Sequence, residues 1–220
     1  MTLIEMALAG SALMAGTAVL LRTRRLRVYR DVERRRQLLR EGHSAAHSVE
    51  ADARAMPSFA DLLAVLPDAL PPETMRTLTA DIERLATTER SYVPTHKKGG
   101  TVAYETLRGN APAVVALYCS PDFHALISRI VGATVVPTPR HDQSSCSVLF
   151  YERPGDHIGW HYDHNFYKGR HFTVLLPIVN RDAAGTGLSA ARLMARVGAD
   201  EREIPTPPNQ LVVFEGATNA

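Results

Sequence analysis

The residues with the clearest capacity for chemistry lie in one stretch, residues 151–178, which reads YERPGDHIGWHYDHNFYKGRHFTVLLPI. At its centre, His161 and Asp163 are two residues apart, and their neighbours are typical of a β-strand. Residues i and i+2 of a strand point to the same face, so this imidazole and this carboxylate are predicted to project into one cavity. With a second imidazole from elsewhere in the fold, they could form the facial triad that holds non-haem Fe(II).

A His-x-Asp pair is weak evidence by itself, because nine histidines are spread over 220 residues. The simplest alternative is a surface strand on which His161 and Asp163 make ordinary hydrogen bonds. The nearby histidines that could serve as a third ligand are His157, His164 and His171. A hydrolytic zinc site built from His161, Asp163 and His164 is disfavoured, because three ligands so close along one strand cannot all converge.

Short apolar runs and turn signals alternate around this pair. Strands are predicted over residues 147–151 (SVLFY), 172–179 and 210–214 (QLVVF). Residues 153–156 and 205–209 contain proline or glycine and are typical of turns and loops. Several short strands with such turns, one of them bearing His-x-Asp, predict a double-stranded jelly roll of the cupin type.

From about Ser147 to the end of the chain, these features resemble the catalytic core of the Fe(II)/2-oxoglutarate-dependent dioxygenases, especially the prolyl 4-hydroxylase-like branch. In that family an aromatic residue ends the strand before His-x-Asp, as Tyr151 does here. A basic residue and a threonine open the following strand, as Arg170 and Thr173 do. Two later features also follow the family's order, a Gly-rich return and an apolar strand, at residues 185–188 and 211–216.

The resemblance implies Fe(II) held by His161 and Asp163 and 2-oxoglutarate as co-substrate, and it leaves ascorbate open as a further cofactor. It implies that Tyr151, Arg170 and Thr173 bind the co-substrate, and it assigns no catalytic residue beyond the metal ligands. The implied activity is hydroxylation of a protein proline or of a small molecule, with release of succinate and CO2. The alternative is a membrane-tethered jelly-roll binding module without turnover.

In the resembled family a distal histidine completes the metal site, and a basic residue farther along pairs with 2-oxoglutarate. By analogy both are expected beyond Ala220, so the functional protein is predicted to continue past that residue. The alternative is a truncated form that cannot bind the metal. Since two ligands bind divalent iron poorly, that form would favour the binding-module hypothesis.

The charge distribution argues against a nucleic-acid-binding protein, and the cysteine content argues against a disulfide-stabilised one. The formal net charge is only +2, yet residues 22–40 hold nine arginines and a local net charge of +7, which leaves residues 41–220 at −4. A nucleic-acid-binding domain needs a basic face, so this function is not predicted. Cys119 and Cys146 provide no disulfide framework and are predicted to be free thiols in a reducing compartment.

Near the amino terminus, residues 3–21 form an apolar run broken only by Glu5, with Arg22 and Arg24 directly after it. The length of the run predicts a transmembrane helix. The positive-inside rule then predicts a protein anchored in a membrane by a single N-terminal span, with its catalytic domain in the cytoplasm. The alternatives are a buried amphipathic helix and a transit peptide.

The predicted fold class is α+β: an N-terminal transmembrane helix, a helical support region, and a double-stranded β-helix core. The predicted segments are a transmembrane anchor (1–21), a basic juxtamembrane helix and tether (22–55), a helical support region (56–146) and an incomplete double-stranded β-helix dioxygenase core (147–220). Within the support region, helices are predicted from Ser58, over residues 75–85, 113–118 and 123–131, and a solvated loop or lid is predicted at residues 96–100. The sequence specifies neither the substrate nor the oligomeric state.

Overall fold

The computed structural model describes residues 16–30, 34, 55–85, 89–93, 96–138, 142, 145–163 and 168–216. Helices and strands are mixed along these residues. The helices are α1 (16–30), α2 (Pro72–Arg84), α3 (Tyr104–Asn110), α4 (Pro112–Cys119) and α5 (Pro121–Val131). The strands are β1 (Leu63–Leu66), β2 (Glu89–Val93), β3 (Lys97–Ala103), β4 (Ser147–Phe150), β5 (His157–Ile158), β6 (Phe172–Leu175), β7 (Leu193–Val197), β8 (Asp200–Ile204) and β9 (Leu211–Glu215).

The strands pair into small antiparallel sheets. In the first sheet, β9 lies between β1 and β6, so that Phe214 is opposite both Leu63 and Thr173. In the second sheet, β3 lies between β2 and β4 and also pairs with the short β5, with Lys97 opposite Ile158. Strands β7 and β8 form a separate hairpin. The first two sheets therefore join segments that are far apart in the sequence.

Helix α4 lies between the two largest groups of buried apolar side chains. Its Ala113 and Leu117 pack with buried residues of α2, α5 and β9, whereas its Val115 and Cys119 pack with Val102, Tyr104 and Leu107. A helix that is buried on several sides must be apolar all round, as the sequence PAVVALYC is. Helix α4 therefore contributes buried side chains to both clusters, one packed against β9 of the first sheet and the other against β3 of the second sheet.

Local sequence signals account for the neighbouring helices. Helix α5 begins at Pro121, and the Ser120 side chain accepts a hydrogen bond from the Phe123 N–H. After its last residue, Val131, Gly132 caps the helix with a φ of 66°. The helices predicted over residues 75–85, 113–118 and 123–131 are thereby confirmed.

The buried carboxylate of Asp81 joins α2 to α4. One of its oxygens accepts a hydrogen bond of 2.7 Å from the Ala113 N–H in the first turn of α4, and the other pairs with Arg84. The first N–H groups of a helix have no partner within the helix, and they carry partial positive charge that suits a carboxylate. Asp81 thus fixes the start of the central helix.

The predicted fold class, a helical support region followed by a double-stranded β-helix core, is wrong. The strands form three small antiparallel sheets within the described residues, and β1, β2 and β3 come from the region that was predicted to be helical. The predicted helix from Ser58 is replaced by β1, because a short apolar run such as Leu63–Leu66 has no periodicity that separates strand from helix. The predicted loop at residues 96–100 instead lies largely within β3.

The predicted N-terminal transmembrane helix is also not supported. No single helix in the described part of the chain is long and apolar enough to cross a bilayer. Helix α1 includes Arg22, Arg24 and Arg27, because the helix continues from the apolar run into the basic segment. Residues 3–15 of the predicted span lie outside the described residues. The cytoplasmic placement of the catalytic domain rested on this span and stays a prediction.

Asn209 ties the loop before β9 to the segment before α2. Its side-chain amide donates to the Leu70 carbonyl at 2.8 Å and its side-chain oxygen accepts from the Leu70 N–H at 2.9 Å. Its own carbonyl accepts from the Ala69 N–H at 3.0 Å. The φ of Asn209 is 67°, in the left-handed region that asparagine adopts more readily than most residues. This clamp sets where β9 enters the first sheet.

Replacing Asn209 by alanine should lower the free energy of unfolding by about 2–3 kcal/mol, because it removes two side-chain hydrogen bonds and places alanine in a left-handed conformation. Urea denaturation measures the change. The control is Asn110→Ala, which removes one exposed hydrogen bond to the Thr106 carbonyl at the end of α3 and should change stability by less than about 0.5 kcal/mol. Equal effects of the two substitutions would contradict the clamp.

Candidate metal centre

The side chains of His161 and Asp163 face one another. The distance from His161 Nε2 to Asp163 Oδ1 is 3.6 Å, and the two side chains are 35% and 32% exposed. The predicted strand geometry is wrong, because both residues follow β5 in a segment outside the strands. They converge nonetheless, while Trp160 and Tyr162 remain exposed.

Hydrogen bonds on the far side of each group hold this orientation. His161 Nδ1 lies 2.8 Å from the Gly159 carbonyl oxygen and donates a hydrogen bond to it, so Nε2 is the ring nitrogen directed at the carboxylate. The Thr173 hydroxyl donates to Asp163 Oδ2 at 2.6 Å, which leaves Oδ1 facing the imidazole. A metal cation between Nε2 and Oδ1 would be attracted by both groups. An imidazole and a carboxylate fit an Fe(II) ion.

The end of β9 lies directly against Asp163. A Cβ atom at Gly216 would lie 2.8 Å from Asp163 Cβ, 3.0 Å from the Asp163 carbonyl oxygen and 3.3 Å from Thr173 Oγ1. Only glycine allows the backbone to approach so closely. Gly216 therefore sets the position of the carboxylate-bearing residue from behind.

A turn before β5 orients the chain as it enters the site. Asp156 Oδ2 accepts hydrogen bonds from the backbone N–H groups of Glu152 and Arg153, at 3.1 and 3.0 Å. Its Oδ1 accepts a hydrogen bond of 2.5 Å from the Arg90 guanidinium of β2. Burial by itself would raise the pKa of Asp156, but these hydrogen bonds outweigh burial and lower the pKa from its usual 3.8. Nothing in the local sequence indicates that Asp156 pairs with Arg90.

The structure separates the other residues that were predicted to bind the co-substrate. Thr173 contacts Asp163, as described above. Tyr151 lies at the end of β4, with its ring against Gly99, and is 40% exposed. Arg170 donates two hydrogen bonds to Glu215 Oε2, at 3.1 and 2.8 Å, and its guanidinium lies 4.8 Å from the centre of the Phe172 ring. The charge of Arg170 is therefore paired within the protein, and the Glu215 hydrogen bond raises the pKa of Arg170.

No group of three metal-ligating side chains occurs among the residues that the structure describes. His157 is exposed, with Nδ1 2.9 Å from the Gly155 carbonyl oxygen. The backbone carbonyl of His171 accepts a hydrogen bond from the Gly216 N–H. His164 and the expected ligand beyond Ala220 lie outside the described residues, so the third ligand stays a prediction.

His96, which the sequence analysis placed in a solvated loop, is the imidazole found beside the pair. Its ring centre lies 6.0 Å from that of His161, and its carbonyl accepts a hydrogen bond of 2.6 Å from the Gly159 N–H. This proximity results from the pairing of β3 with β5. Nothing in the local sequence indicates that pairing.

Replacing Gly216 by alanine should weaken binding of Fe(II), or of Co(II) as its stable substitute, about tenfold to a hundredfold, because the added methyl group displaces Asp163. Metal titration by calorimetry measures the affinity. The control is Gly109→Ala in α3, where a Cβ atom has no neighbour within 4 Å, so metal affinity should not change. Unchanged affinity in the Gly216 variant would mean that the contact with Asp163 does not position a ligand.

Replacing Asp156 by asparagine should lower the melting temperature at neutral pH, because the turn and Arg90 lose a charged acceptor. Folding lowers the pKa of Asp156. The charged carboxylate therefore stabilises the fold fully at pH values above its unfolded-state pKa. This stabilisation is lost as the pH falls through the folded-state pKa, below about pH 4. The difference in melting temperature from the wild type should therefore vanish in acid. Asp200→Asn, at the exposed start of β8, is the control. An equal shift in both variants would refute the role of Asp156.

Comparison with known proteins identifies one family. A family model described as HalD, halogenase D, matches residues 47–176, which is more than half of the chain and includes His161, Asp163 and Thr173. No curated protein matches the chain. The match overturns the predicted membership of the prolyl 4-hydroxylase-like branch of the dioxygenases. The features that carried that resemblance, a strand, a turn, His-x-Asp and a threonine-bearing strand, lie within the matched residues.

Proposed function

The chain belongs to the halogenase D family, and from this premise we propose that it is an Fe(II)- and 2-oxoglutarate-dependent oxygenase that hydroxylates a small-molecule substrate. A family described by a catalysed reaction is a family of enzymes, so the chain is an enzyme. This membership favours turnover over the binding-module alternative. A prolyl substrate is not retained, because it rested on the overturned resemblance.

The observation that carries the proposal is the facing pair of His161 Nε2 and Asp163 Oδ1, 3.6 Å apart. Imidazole and carboxylate ligands with open coordination positions are typical of non-haem Fe(II) oxygenases. When bound, the metal would supply oxidation coupled to 2-oxoglutarate: one oxygen atom of O2 enters succinate with loss of CO2, and the other enters a substrate C–H bond as hydroxyl. Ascorbate, which keeps iron reduced, is a further cofactor to be tested.

The protein's own residues orient the ligands. Gly159 and Thr173 hold the orientations of His161 and Asp163. Next to His161, the Arg196 guanidinium of β7 lies 4.6 Å from the centre of the Trp160 ring, so the β7–β8 hairpin contacts the segment that carries the ligands.

Halogen transfer is the second candidate, because the matching family is described as a halogenase. It would consume the same oxidant and co-substrate together with a halide ion and a proton, and it would release water. Asp163 favours hydroxylation. A carboxylate directed at the metal position occupies a coordination site that a halide would need, and its negative charge repels a second anion.

The test is succinate formation by the purified full chain with Fe(II), 2-oxoglutarate, O2 and a panel of small molecules. Wild-type protein should form succinate in proportion to a hydroxylated product. Asp163→Ala should abolish both and weaken metal binding more than about a hundredfold, whereas Asp200→Ala should change neither. Iron binding without any succinate across the panel would contradict the oxygenase, and unchanged iron affinity in Asp163→Ala would contradict the ligand assignment.

Chloride dependence separates the two candidates. If the wild type hydroxylates, its product contains one additional oxygen atom, and adding chloride or bromide leaves its mass unchanged. Asp163→Gly, which frees the coordination site and removes the repelling charge, is the variant in which halide should affect the product. A halogenated product from the wild type would establish halogen transfer and refute hydroxylation.

A further inference from the structure

Helix α1 is divided along its length into an apolar part and a basic part. Residues 16–21 (GTAVLL) carry no charge, whereas residues 22–30 (RTRRLRVYR) hold five arginines and no acidic residue. Successive residues of a helix are rotated by about 100°, so these arginines are distributed around the whole circumference rather than along one side. The helix therefore has no separate apolar face, and its polarity changes along its axis.

The apolar part of α1 is open to solvent. Val19, Leu20 and Leu21 are 60%, 70% and 62% exposed. No residue of α1 belongs to a cluster of buried apolar side chains in the described part of the chain. Elsewhere among the described residues, large exposed apolar side chains occur singly or at most two in a row. Three in succession mark a surface that is suited to another apolar phase.

The arginines of α1 differ from three exposed arginines of the later chain in their partners. Within the part of the chain that the structure describes, no carboxylate pairs with an arginine of α1. In contrast, Arg181 pairs with Glu83 at 3.4 Å. Arg192 and Arg202 also pair with carboxylates, at 3.7 and 3.3 Å. The guanidinium groups of α1 are therefore the ones that are available to an external anion.

The distribution of charge along the chain favours the same contact. Residues 22–40 carry a local net charge of +7, whereas residues 41–220 carry −4. An anionic surface attracts the first segment and repels the second. Binding to such a surface therefore occurs through the amino-terminal segment and leaves the remaining residues, including the metal pair, facing away from it.

An anionic lipid bilayer matches both parts of the helix. Its headgroups present phosphate and carboxylate groups, with which guanidinium groups form charge-assisted hydrogen bonds. Its acyl chains lie directly beneath the headgroups and provide an apolar phase for residues 19–21. A nucleic acid presents phosphates as well, but it would leave the apolar part of α1 in water. The combination of the two parts therefore favours a bilayer over a nucleic acid.

The length of the apolar part limits the depth of the contact. The six residues 16–21 extend about 9 Å along the helix axis, whereas the hydrocarbon core of a bilayer is about 30 Å thick. With residues 19–21 below the headgroups, the arginines lie at headgroup level, where long side chains can reach phosphate groups on every side of the helix. The described helix therefore fits a contact with one leaflet and not a membrane span.

We propose that α1 docks the protein onto the surface of an anionic membrane, with its arginines at the headgroups and residues 19–21 in the adjoining acyl region. The arginines supply the attraction to negative charge, and the apolar residues supply the preference for a bilayer over other polyanions. This inference concerns α1 alone and does not depend on the proposed oxygenase activity.

The test is co-sedimentation of the purified full chain with lipid vesicles. Wild-type protein should bind vesicles of phosphatidylcholine and phosphatidylserine about tenfold or more tightly than vesicles of phosphatidylcholine alone. Raising the salt concentration from about 0.1 M to about 1 M should weaken this binding about tenfold or more, because salt screens the charges. Equal binding to both kinds of vesicle, or binding that salt does not weaken, would overturn the proposal.

Two triple variants separate α1 from the charge of the whole chain. Arg22→Gln, Arg24→Gln and Arg27→Gln together should weaken binding to the anionic vesicles about a hundredfold, because each basic residue near such a surface contributes about fivefold. The control replaces by glutamine the three carboxylate-paired arginines described above, which removes the same charge and should leave vesicle binding unchanged. Equal weakening in the two variants would contradict the assignment to α1.

A second pair of variants tests the apolar part. Leu20→Ala with Leu21→Ala should weaken binding to the anionic vesicles about tenfold or more, because less apolar surface leaves water. The control is Val136→Ala with Leu188→Ala, two exposed apolar residues outside α1, and it should bind as the wild type does. Unchanged binding in the Leu20 and Leu21 variant would overturn the proposal, since arginines alone do not select a bilayer. Tighter binding to duplex DNA than to the anionic vesicles would also refute it and identify α1 as a nucleic-acid contact.

Metal titration keeps this outcome separate from the fate of the proposed function. The α1 variants should bind Fe(II) and Co(II) as tightly as the wild type, because the described contacts of His161 and Asp163 involve no residue of α1. Wild-type protein that binds metal but not anionic vesicles would refute membrane docking and leave the oxygenase standing. Wild-type protein that binds anionic vesicles but no metal would refute the oxygenase and support membrane docking.

Discussion

The rest of the site depends on one geometric constraint: an imidazole nitrogen and a carboxylate oxygen are held face to face at 3.6 Å. Gly159 holds the far nitrogen of His161, and Thr173 holds the far oxygen of Asp163. A metal cation between the two groups is attracted by both of them. Ligands that are already oriented lose little conformational freedom when the ion arrives, which is how hydrogen bonds behind a site raise metal affinity.

Each support of the pair comes from a different part of the fold. Gly159 is held by the extension of β3, Thr173 belongs to β6, and Gly216 directly follows β9. These strands rest on helices packed around α4, whose first turn is fixed by the buried carboxylate of Asp81. Precise sites are easier to build on such packed elements than on loops. The segment from Gly159 to Asp163 is itself irregular, so it takes its geometry from its neighbours.

Local signals were sufficient for the parts of this structure that depend on nearby residues. Proline start signals predicted α2 and α5, together with the helical spacing of apolar residues in α2, and the His-x-Asp spacing singled out the pair that the fold brings together. Strand pairing between distant segments could not be predicted from the sequence. Leu63–Leu66 forms a strand only because Leu211–Phe214 lies beside it. The same limit concealed the positions of Lys97 and His96, since a lysine and a histidine in a glycine-containing run are also typical of a solvated loop.

The contact between Gly216 and Asp163 also makes the ligand pair depend on a long-range closure of the chain. Gly216 can lie against Asp163 only when β9 is paired with β1 and β6, and the pairing of β9 with β1 closes a loop of most of the chain at a cost in conformational entropy. During synthesis on the ribosome, this contact cannot form before residue 216 has emerged.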